Sequence, residues 1–359
     1  MKKYLHKQPV KLESGVTLPE VEIAYHTIGN LNSSGDNVVW IFHALTANSD
    51  ATEWWKGLVG ESDLINPKKH FIVCANVLGS AYGTTGPLSV NPKSGIPYYH
   101  DFPFVTIRDL VKVHDLLRQH LRLNKIYLGI GGSLGGQQLL DWSISQPDLF
   151  TNICLIATNA RHSPWGIAFN EAQRMAIESD ATWQEKKIDA GVDGLRAARS
   201  IALLSYRHYD AYLNSQSEVN DDVIDQFKAA GYQKHQGKKL SDRFNAFSYY
   251  ILSKAMDTHH AGRERGGVEA ALALIKARAL IVGIQSDLLF PISEQKLIAN
   301  LIKESEIVLI DSDFGHDGFL VETKKLSQII GDFLEKETSE QYKGFGSDSL
   351  SIFNINRYE

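Results

Sequence analysis

Three residue types that together activate a nucleophile occur in this 359-residue chain in the order serine, aspartate, histidine. Ser133 lies in the pentapeptide GGSLG, Asp287 follows the apolar run ALIVGIQS, and His316 lies in DFGHDGFL. A serine hydroxyl is a weak nucleophile near neutral pH, and it attacks carbonyl carbons when a histidine removes its proton and a carboxylate orients that histidine. The three residues are therefore candidates for covalent catalysis at an acyl group.

The glycine-rich turn around Ser133 has two other interpretations, and the residues exclude both. A phosphate-binding P-loop needs lysine and then serine or threonine after its second glycine, where this chain has Gln137 and Gln138. A dinucleotide-binding fingerprint needs glycine or alanine at Leu134. What remains is G-x-S-x-G between a predicted strand and a predicted helix, which is the context of a nucleophile elbow.

The acid and the base follow the serine in the order that α/β-hydrolases use. Asp287 and His316 each come directly after a predicted strand, where parallel sheets place their functional loops. Asp311 and Asp313 stay open as alternative acids. His43 is a rival base by residue type, but it precedes the serine in the chain, which favours a structural role.

An oxyanion hole is the third requirement of this chemistry, because the tetrahedral intermediate carries a negative oxygen that backbone N–H groups must stabilise. The residue after the nucleophile, Leu134, is one expected donor. The other should come from a loop after an earlier strand, and the stretch HALTAN provides that loop with Leu45 as the expected donor.

Short apolar runs rich in β-branched residues recur along the chain as buried strands do. They are NVVWIFHAL, HFIVCANVLG, KIYLGIGG, TNICLIATN, ARALIVGIQSD and SEIVLIDSD. Helical patterns such as VTIRDLVKVHDLLRQHL and ISEQKLIANLIKE separate several of them, and this alternation predicts an α/β domain with a mostly parallel sheet. The N-terminal stretch KLESGVTLPEVEIAYHTIGN alternates like a strand pair and predicts an antiparallel edge.

The strand pattern stops between residues 161 and 267, where helix-like and aromatic stretches such as RFNAFSYYILSKAMD replace it. We therefore expect a discontinuous core over residues 1–160 and 268–335, interrupted by a helical lid over 161–267. Residues 336–359 form a tail that contains several serines and glycines, and the sequence assigns it no role.

Composition excludes several classes of partner. The formal net charge is −5 with Lys and Arg spread along the chain, so we expect no nucleic-acid partner. The N-terminus lacks the apolar segment of a secretion signal, and no apolar run is long enough to span a bilayer, so we expect a cytoplasmic protein with no membrane partner. Cys74 and Cys154 lie in strand-like runs, which predicts buried reduced thiols rather than a disulfide or a metal site.

Several longer blocks resemble the signature blocks of the homoserine O-acetyltransferase family. They are HALTANSD, WWKGLVG, CANVLGSAYGTTGPLSVNP, DFPFVTIRD, GGSLGGQQLLDW, GLRAARSIALLSYR, RFNAFSYYILSKAMDTHHAGRERGG, SDLLFP and GHDGFLVE. The resemblance covers roughly residues 10 to 335 and implies an α/β-hydrolase fold with a helical lid. It departs from the usual family pattern at four positions, Ala47, Leu134, Asn245 and Phe247.

This resemblance implies transfer of an acetyl group from acetyl-CoA, a co-substrate, to L-homoserine in methionine biosynthesis. It implies Ser133 as the nucleophile, Asp287 and His316 as its partners, and Arg199 and Asp317 as contacts to the amino-acid substrate. It further implies a homodimer joined through the lid, with no metal and no permanently bound cofactor. A succinyl donor, a serine acceptor, a hydrolase with the same three residues and a catalytically silent interaction protein stay open as alternatives.

Overall fold

The computed structural model describes residues 1–341, and it describes side chains up to residue 336. Within that range the strands are β1 Lys2–His6, β2 Val10–Lys11, β3 Thr17–Leu18, β4 Val21–Ile28, β5 Val38–Phe42, β6 Phe71–Ala75, β7 Ile126–Gly132, β8 Phe150–Ile156, β9 Arg278–Ile284 and β10 Ser305–Ile310. The helices are α1 Ala51–Trp54, α2 Ile107–His120, α3 Leu134–Ser145, α4 Pro164–Glu178, α5 Val192–Tyr206, α6 Tyr209–Gln216, α7 Lys228–Ser241, α8 Ala246–Asp257, α9 Val268–Leu272, α10 Ile292–Leu301, α11 Gly318–Val321 and α12 Thr323–Gln341. Short 3₁₀ turns cover Tyr99–Asp101 and Gly315–Asp317.

Among these residues, eight strands form one sheet in the order β1-β4-β6-β5-β7-β8-β9-β10, while β2 and β3 form a separate hairpin. The neighbours from β6 to β10 pair in parallel, and β4 pairs antiparallel with both β1 and β6. All six apolar runs of the sequence form strands of this sheet. The sheet has an antiparallel edge, as predicted, and β4 comes from the N-terminal alternating stretch. Its partner at the edge, however, is β1, which precedes that stretch, whereas β2 and β3 lie in the separate hairpin.

Strand β5 shows why the sheet needs apolar residues on both faces. Trp40 and Phe42 point into one buried cluster and Ile41 into another, because successive side chains of a strand leave opposite faces. The first cluster includes apolar residues of α2 and α3, and the second includes those of α1 and α12. Helices thus cover the sheet on both sides, which is the arrangement that buries parallel strands.

The chain from α4 to α9 lies between the neighbouring parallel strands β8 and β9. Helix α5 packs against α4 and α7, and it also contacts the 3₁₀ turn Gly315–Asp317. The exact division into core and lid stays a prediction. Helix α12 runs past residue 336, where the sequence predicted the tail to begin, and the rest of that tail, residues 342–359, lies outside the described residues.

Both cysteines are buried and neither forms a disulfide, as the sequence predicted. Burial raises the pKa of each thiol. Of the helices within residues 1–341, none combines the length and the apolar character needed to cross a membrane.

Candidate active site

Ser133 occupies the sharp turn between the last residue of β7 and the first residue of α3. Its backbone angles are φ 56° and ψ −125°, a conformation that residues other than glycine rarely adopt. Hydrogen bonds hold this strained turn: the Ser133 N–H donates to the Ile156 carbonyl at 3.0 Å, and the Thr158 hydroxyl donates to the Ser133 carbonyl at 3.0 Å. Backbone strain that neighbours hold in place is a property of functional turns.

A glycine at position 135 allows this turn to lie against strand β5. A Cβ atom added to Gly135 would lie only 2.2 Å from the carbonyl oxygen of Phe42, the last residue of β5. Any larger residue would push the start of α3 away from the loop that follows β5. The glycine therefore brings the nucleophile turn next to the predicted oxyanion loop.

Asp287 and His316 form the contact that orients a catalytic histidine. The Nδ1 atom of His316 lies 2.7 Å from the Asp287 Oδ2 atom, and both side chains are buried. The other carboxylate oxygen of Asp287 accepts hydrogen bonds from the Leu289 and Phe290 amides, each at 2.8 Å. The backbone amides hold one carboxylate oxygen of Asp287, and the other contacts the imidazole of His316. This contact fixes the orientation of the imidazole and leaves the His316 Nε2 atom free to act as the base.

The alternatives that the sequence left open are placed differently. Asp311 and Asp313 are exposed, whereas His316 is buried against Asp287. His43 is buried with its Nδ1 atom 2.8 Å from the Ala44 carbonyl, and its Nε2 atom accepts a hydrogen bond from the Val77 amide at 3.1 Å. Burial lowers the pKa of His43 to about 4, so this ring stays neutral. His43 thus braces the loop after β5.

The two residues predicted to form the oxyanion hole both lie close to Ser133. Leu45 is on the loop that follows β5 and lines the same pocket as Ser133. Leu134 is the first residue of α3, and the amides in the first turn of a helix have no partner within that helix. Both leucine side chains are buried and apolar. The only polar groups that these two residues can offer a substrate are therefore their backbone amides.

One small pocket, about 60 Å³ in volume, joins residues of the core and the lid. It is lined by Ala44, Leu45, Thr46, Ser133, Arg199, Tyr206, His316, Asp317, Phe319 and Leu320. Arg199 comes from α5 of the lid, and its guanidinium carbon lies 5.5 Å from the ring centre of Tyr206. Burial raises the pKa of Tyr206, and Arg199 acts against that shift. Ser133, His316, Arg199 and Asp317 therefore line one pocket, and Asp287, the predicted acid, contacts the His316 ring from behind it.

Sequence reasoning missed Arg207, which directly follows the last residue of α5. Its Nε atom lies 2.7 Å from the Asp317 Oδ2 atom. A positive residue at the end of a helix usually indicates only a favourable interaction with the helix dipole. The sequence signal that could have found it is the motif SYRH directly after the helix that carries Arg199.

Two of the four departures from the family pattern lie inside the lid. The Asn245 side chain accepts a hydrogen bond from the Ser248 amide at 2.8 Å and so caps α8. Phe247 is buried and packs on Trp183, with 5.0 Å between the ring centres. These residues shape the lid, whereas Ala47 lies on the loop after β5 and Leu134 is the first residue of α3, directly after Ser133.

No group of three or more His, Cys, Asp or Glu side chains within the described part of the chain is arranged to hold a metal ion. The arrangement at Ser133 requires none, since its histidine and backbone amides supply the base and the electrostatic stabilisation.

Comparisons with known proteins agree with this geometry. A family model described as the alpha/beta hydrolase fold matches residues 37–323. A homoserine O-acetyltransferase of Cyclobacterium marinum is 49% identical over 327 residues, which is 91% of this chain and 93% of the relative. The crystal structure of a homoserine O-acetyltransferase from Bacillus anthracis superposes with a TM-score of 0.84 at 23% identity, covering 91% of this chain and 96% of that one. Esterase E22 superposes with a TM-score of 0.84 at 24% identity, covering 93% of this chain and 99% of that one, and at such identities both structures show the fold alone.

Proposed function

Since the chain belongs to the homoserine O-acetyltransferase family of α/β-hydrolase-fold proteins, we propose that it moves an acetyl group from acetyl-CoA to the hydroxyl of L-homoserine through an acetyl-serine at Ser133. The fold class and the family expected from the sequence are confirmed, and the protein is an acyltransferase. Support for the roles of individual residues comes from the pocket that Ser133 and His316 line together with Arg199 and Asp317.

The first half of the reaction forms the acetyl-serine. The His316 Nε2 atom takes the proton of the Ser133 hydroxyl, and the serine oxygen attacks the carbonyl carbon of the thioester. The Leu45 and Leu134 amides stabilise the oxyanion of the tetrahedral intermediate. When the carbon–sulfur bond breaks, the imidazolium returns its proton to the leaving thiolate, and CoA departs.

The second half transfers the acetyl group to the acceptor. His316 takes the proton from the hydroxyl of homoserine, whose oxygen attacks the acetyl-serine ester, and the Ser133 oxygen regains a proton as it leaves. Arg199 binds the carboxylate of the amino acid with its planar donor face, and Asp317 binds the ammonium. We propose that the product, O-acetyl-L-homoserine, serves methionine biosynthesis, and that the enzyme acts in the cytoplasm, where its donor acetyl-CoA is made available.

The curated relatives of this chain support acetyl over succinyl as the acyl group, since those that are 40–49% identical over about nine-tenths of the chain carry the name homoserine O-acetyltransferase. The lid above the pocket limits the access of water, since hydrolysis is the competing fate of an acyl-serine.

We propose a homodimer that forms through the lid. Large apolar side chains are exposed there on neighbouring helices: Met175 at 59%, Leu204 at 58%, Tyr209 at 70% and Leu213 at 49%. Large apolar side chains that are exposed to this extent are candidates for burial in an interface. Light scattering on the purified protein measures whether its mass is that of one chain or two. In the variant Leu204→Glu, the mass should fall to that of one chain.

Acetylation of Ser133 is the direct test of the proposed reaction. Acetyl-CoA alone should release about one equivalent of CoA in a burst and leave the acetyl group on the peptide that contains Ser133, as mass spectrometry would show. Homoserine should then discharge the acetyl-enzyme far faster than water does. Steady-state lines at varied substrate concentrations should be parallel, as a ping-pong mechanism requires.

Two controls separate this mechanism from its rivals. Ser133→Ala should abolish both the burst and the label, and succinyl-CoA in place of acetyl-CoA tests the choice of donor. Intersecting lines with an unlabelled serine would contradict the covalent mechanism. Rapid loss of the acetyl group without homoserine would instead identify a hydrolase.

A further inference from the structure

Asp317, the carboxylate that faces the pocket next to His316, already has a charged partner in the protein. Its Oδ2 atom forms an ion pair with the Arg207 Nε atom at 2.7 Å, and their side chains are 11% and 27% exposed. The contact has the geometry of an ion pair rather than of an aligned hydrogen bond. Asp317 is therefore held mainly by the positive charge of Arg207 and less by an aligned N–H hydrogen bond.

Arg207 approaches Asp317 from outside the pocket. The residues that line the pocket include Asp317 and Arg199 but not Arg207. Arg207 instead lines a separate surface depression together with Tyr212 and Tyr232. A substrate bound beside Ser133 would therefore touch Asp317 and Arg199, while Arg207 would contact only the far side of the carboxylate.

Helix α5 brings both arginines to the site. Arg199 and Arg207 are eight residues apart, which is about 12 Å along a helix, so one guanidinium reaches the pocket and the other reaches the loop behind it. A carboxylate has two oxygens that accept from several donors at once. Asp317 can thus keep Arg207 on Oδ2 and offer Oδ1 to a substrate ammonium.

The loop that carries Asp317 also touches the end of α5 through its backbone. Gly315 has φ +60°, and a Cβ atom added there would lie 2.9 Å from the His208 nitrogen and 3.0 Å from the Tyr206 carbonyl oxygen. The lack of a side chain at Gly315 thus lets the loop lie close to the end of α5. The ion pair with Arg207 then sets the direction of the Asp317 carboxylate. Both contacts join the lid to the loop that carries His316 and Asp317.

We propose that Arg207 is a positioning residue that holds Asp317 for the ammonium group of the acceptor, and that it thereby makes the enzyme select acceptors that carry an amine. This inference rests on the proposed function, because it assigns the acceptor side of the same pocket. Arg207 has no part in forming the acetyl-serine, since the donor carries no ammonium group at the thioester.

The test compares two acceptors that differ only in the amine, L-homoserine and 4-hydroxybutanoate. In Arg207→Gln, kcat/KM for homoserine should fall about 10-fold to 100-fold because the carboxylate loses its orientation, and 4-hydroxybutanoate should be used nearly as before. The burst of CoA from acetyl-CoA should stay unchanged, which also shows that the variant is folded. Arg207→Lys keeps the charge and should restore much of the selectivity.

Arg196→Gln is the matched control, since Arg196 lies on the same helix, is 43% exposed and pairs with Asp193 at 2.6 Å on the surface. This variant loses the same charge from α5 and should leave the ratio of the two acceptors unchanged. Equal losses with both acceptors in Arg207→Gln, or no loss with either, would overturn the inference while the proposed function stands. If the unmodified protein forms no acetyl-serine that homoserine discharges, the proposed function fails and the inference fails with it.

Discussion

Two regions of the molecule hold their functional side chains by different means. One is the set of loops that follow the strands of the sheet, and the other is helix α5 of the lid. Asp287 and His316 are almost fully buried, and the carboxylate has backbone amides on one oxygen and an imidazole on the other. Arg199 and Arg207 on α5 are partly exposed charges, one beside an aromatic ring and the other in an ion pair. The core thus fixes its groups with buried hydrogen bonds, and the lid uses partly solvated charges.

This difference matches two kinds of task. Proton transfer between a serine and a histidine needs fixed distances, and buried hydrogen bonds supply them at the cost of a strained turn. Recognition of a zwitterion needs charges of both signs that an arriving ligand can reach, so these charges cannot be buried as deeply. Changes in the core should therefore stop the chemistry, while changes on α5 should alter the choice of acceptor.

The largest expected effect tests the core. Asp287→Asn keeps the shape of the side chain but no longer holds the His316 tautomer that exposes Nε2, so kcat should fall about 10³-fold to 10⁴-fold. Stopped-flow release of CoA and steady-state turnover both measure it. Asp313→Asn is the matched control on an exposed residue and should leave kcat within about twofold. The reverse pattern would assign the acid to Asp313.

A smaller effect tests the lid. Arg199→Lys keeps the charge but loses the planar pair of donors, so kcat/KM for homoserine should worsen by roughly 1–3 kcal/mol. Formation of the acetyl-serine from acetyl-CoA should change little, because we propose that Arg199 binds the acceptor and not the donor. If acylation and transfer suffered equally, Arg199 would be holding the lid or the donor, and the contrast between core and lid would fail.

The smallest effect concerns the neutral histidines of the core. His114 is buried, its Nε2 atom lies 2.8 Å from the Gln138 Oε1 atom, and burial lowers its pKa to about 4. The unfolded chain binds a proton there below about pH 6.5 and the folded chain does not, so this residue removes stability as the pH falls. Between pH 7 and pH 6 its share should be roughly 0.7 kcal/mol of unfolding free energy.

Urea unfolding of His114→Gln at the two pH values measures that share, because glutamine keeps a donor for Gln138 and cannot titrate. The loss of stability on going to pH 6 should shrink by the stated amount. An unchanged pH dependence in His114→Gln would mean that the pKa of His114 is the same in the folded and the unfolded chain.

The sequence predicted the sheet well because buried strands need long apolar runs, and such runs have few other causes in a chain of this composition. The order of strands along the chain then placed Asp287 and His316 at the same edge of the sheet as Ser133. Each of these residues has a local sequence context, a glycine-rich turn or the end of an apolar run, that identifies it.

The residues of the lid had no such context. Arginines are common on helix surfaces, so Arg199 emerged only through the resemblance to a family, and Arg207 did not emerge at all. The contact between Arg207 and Asp317 joins residues more than a hundred positions apart, and the turn at Gly315 that permits it depends on how the lid packs on the loop. Such contacts arise from the tertiary fold, which local patterns do not encode.

The insertion of the lid between β8 and β9 has a consequence for the order in which the site is made. Strands β5, β7 and β8 and the Ser133 turn come first from the ribosome, but β9 can pair with β8 only after residues 157–277 have been synthesised. Closing so long a loop costs roughly 4 kcal/mol of chain entropy. Packing of the lid helices against one another offsets this cost. Asp287 and His316 follow this closure. The growing chain therefore carries an unactivated serine until most of it has been made.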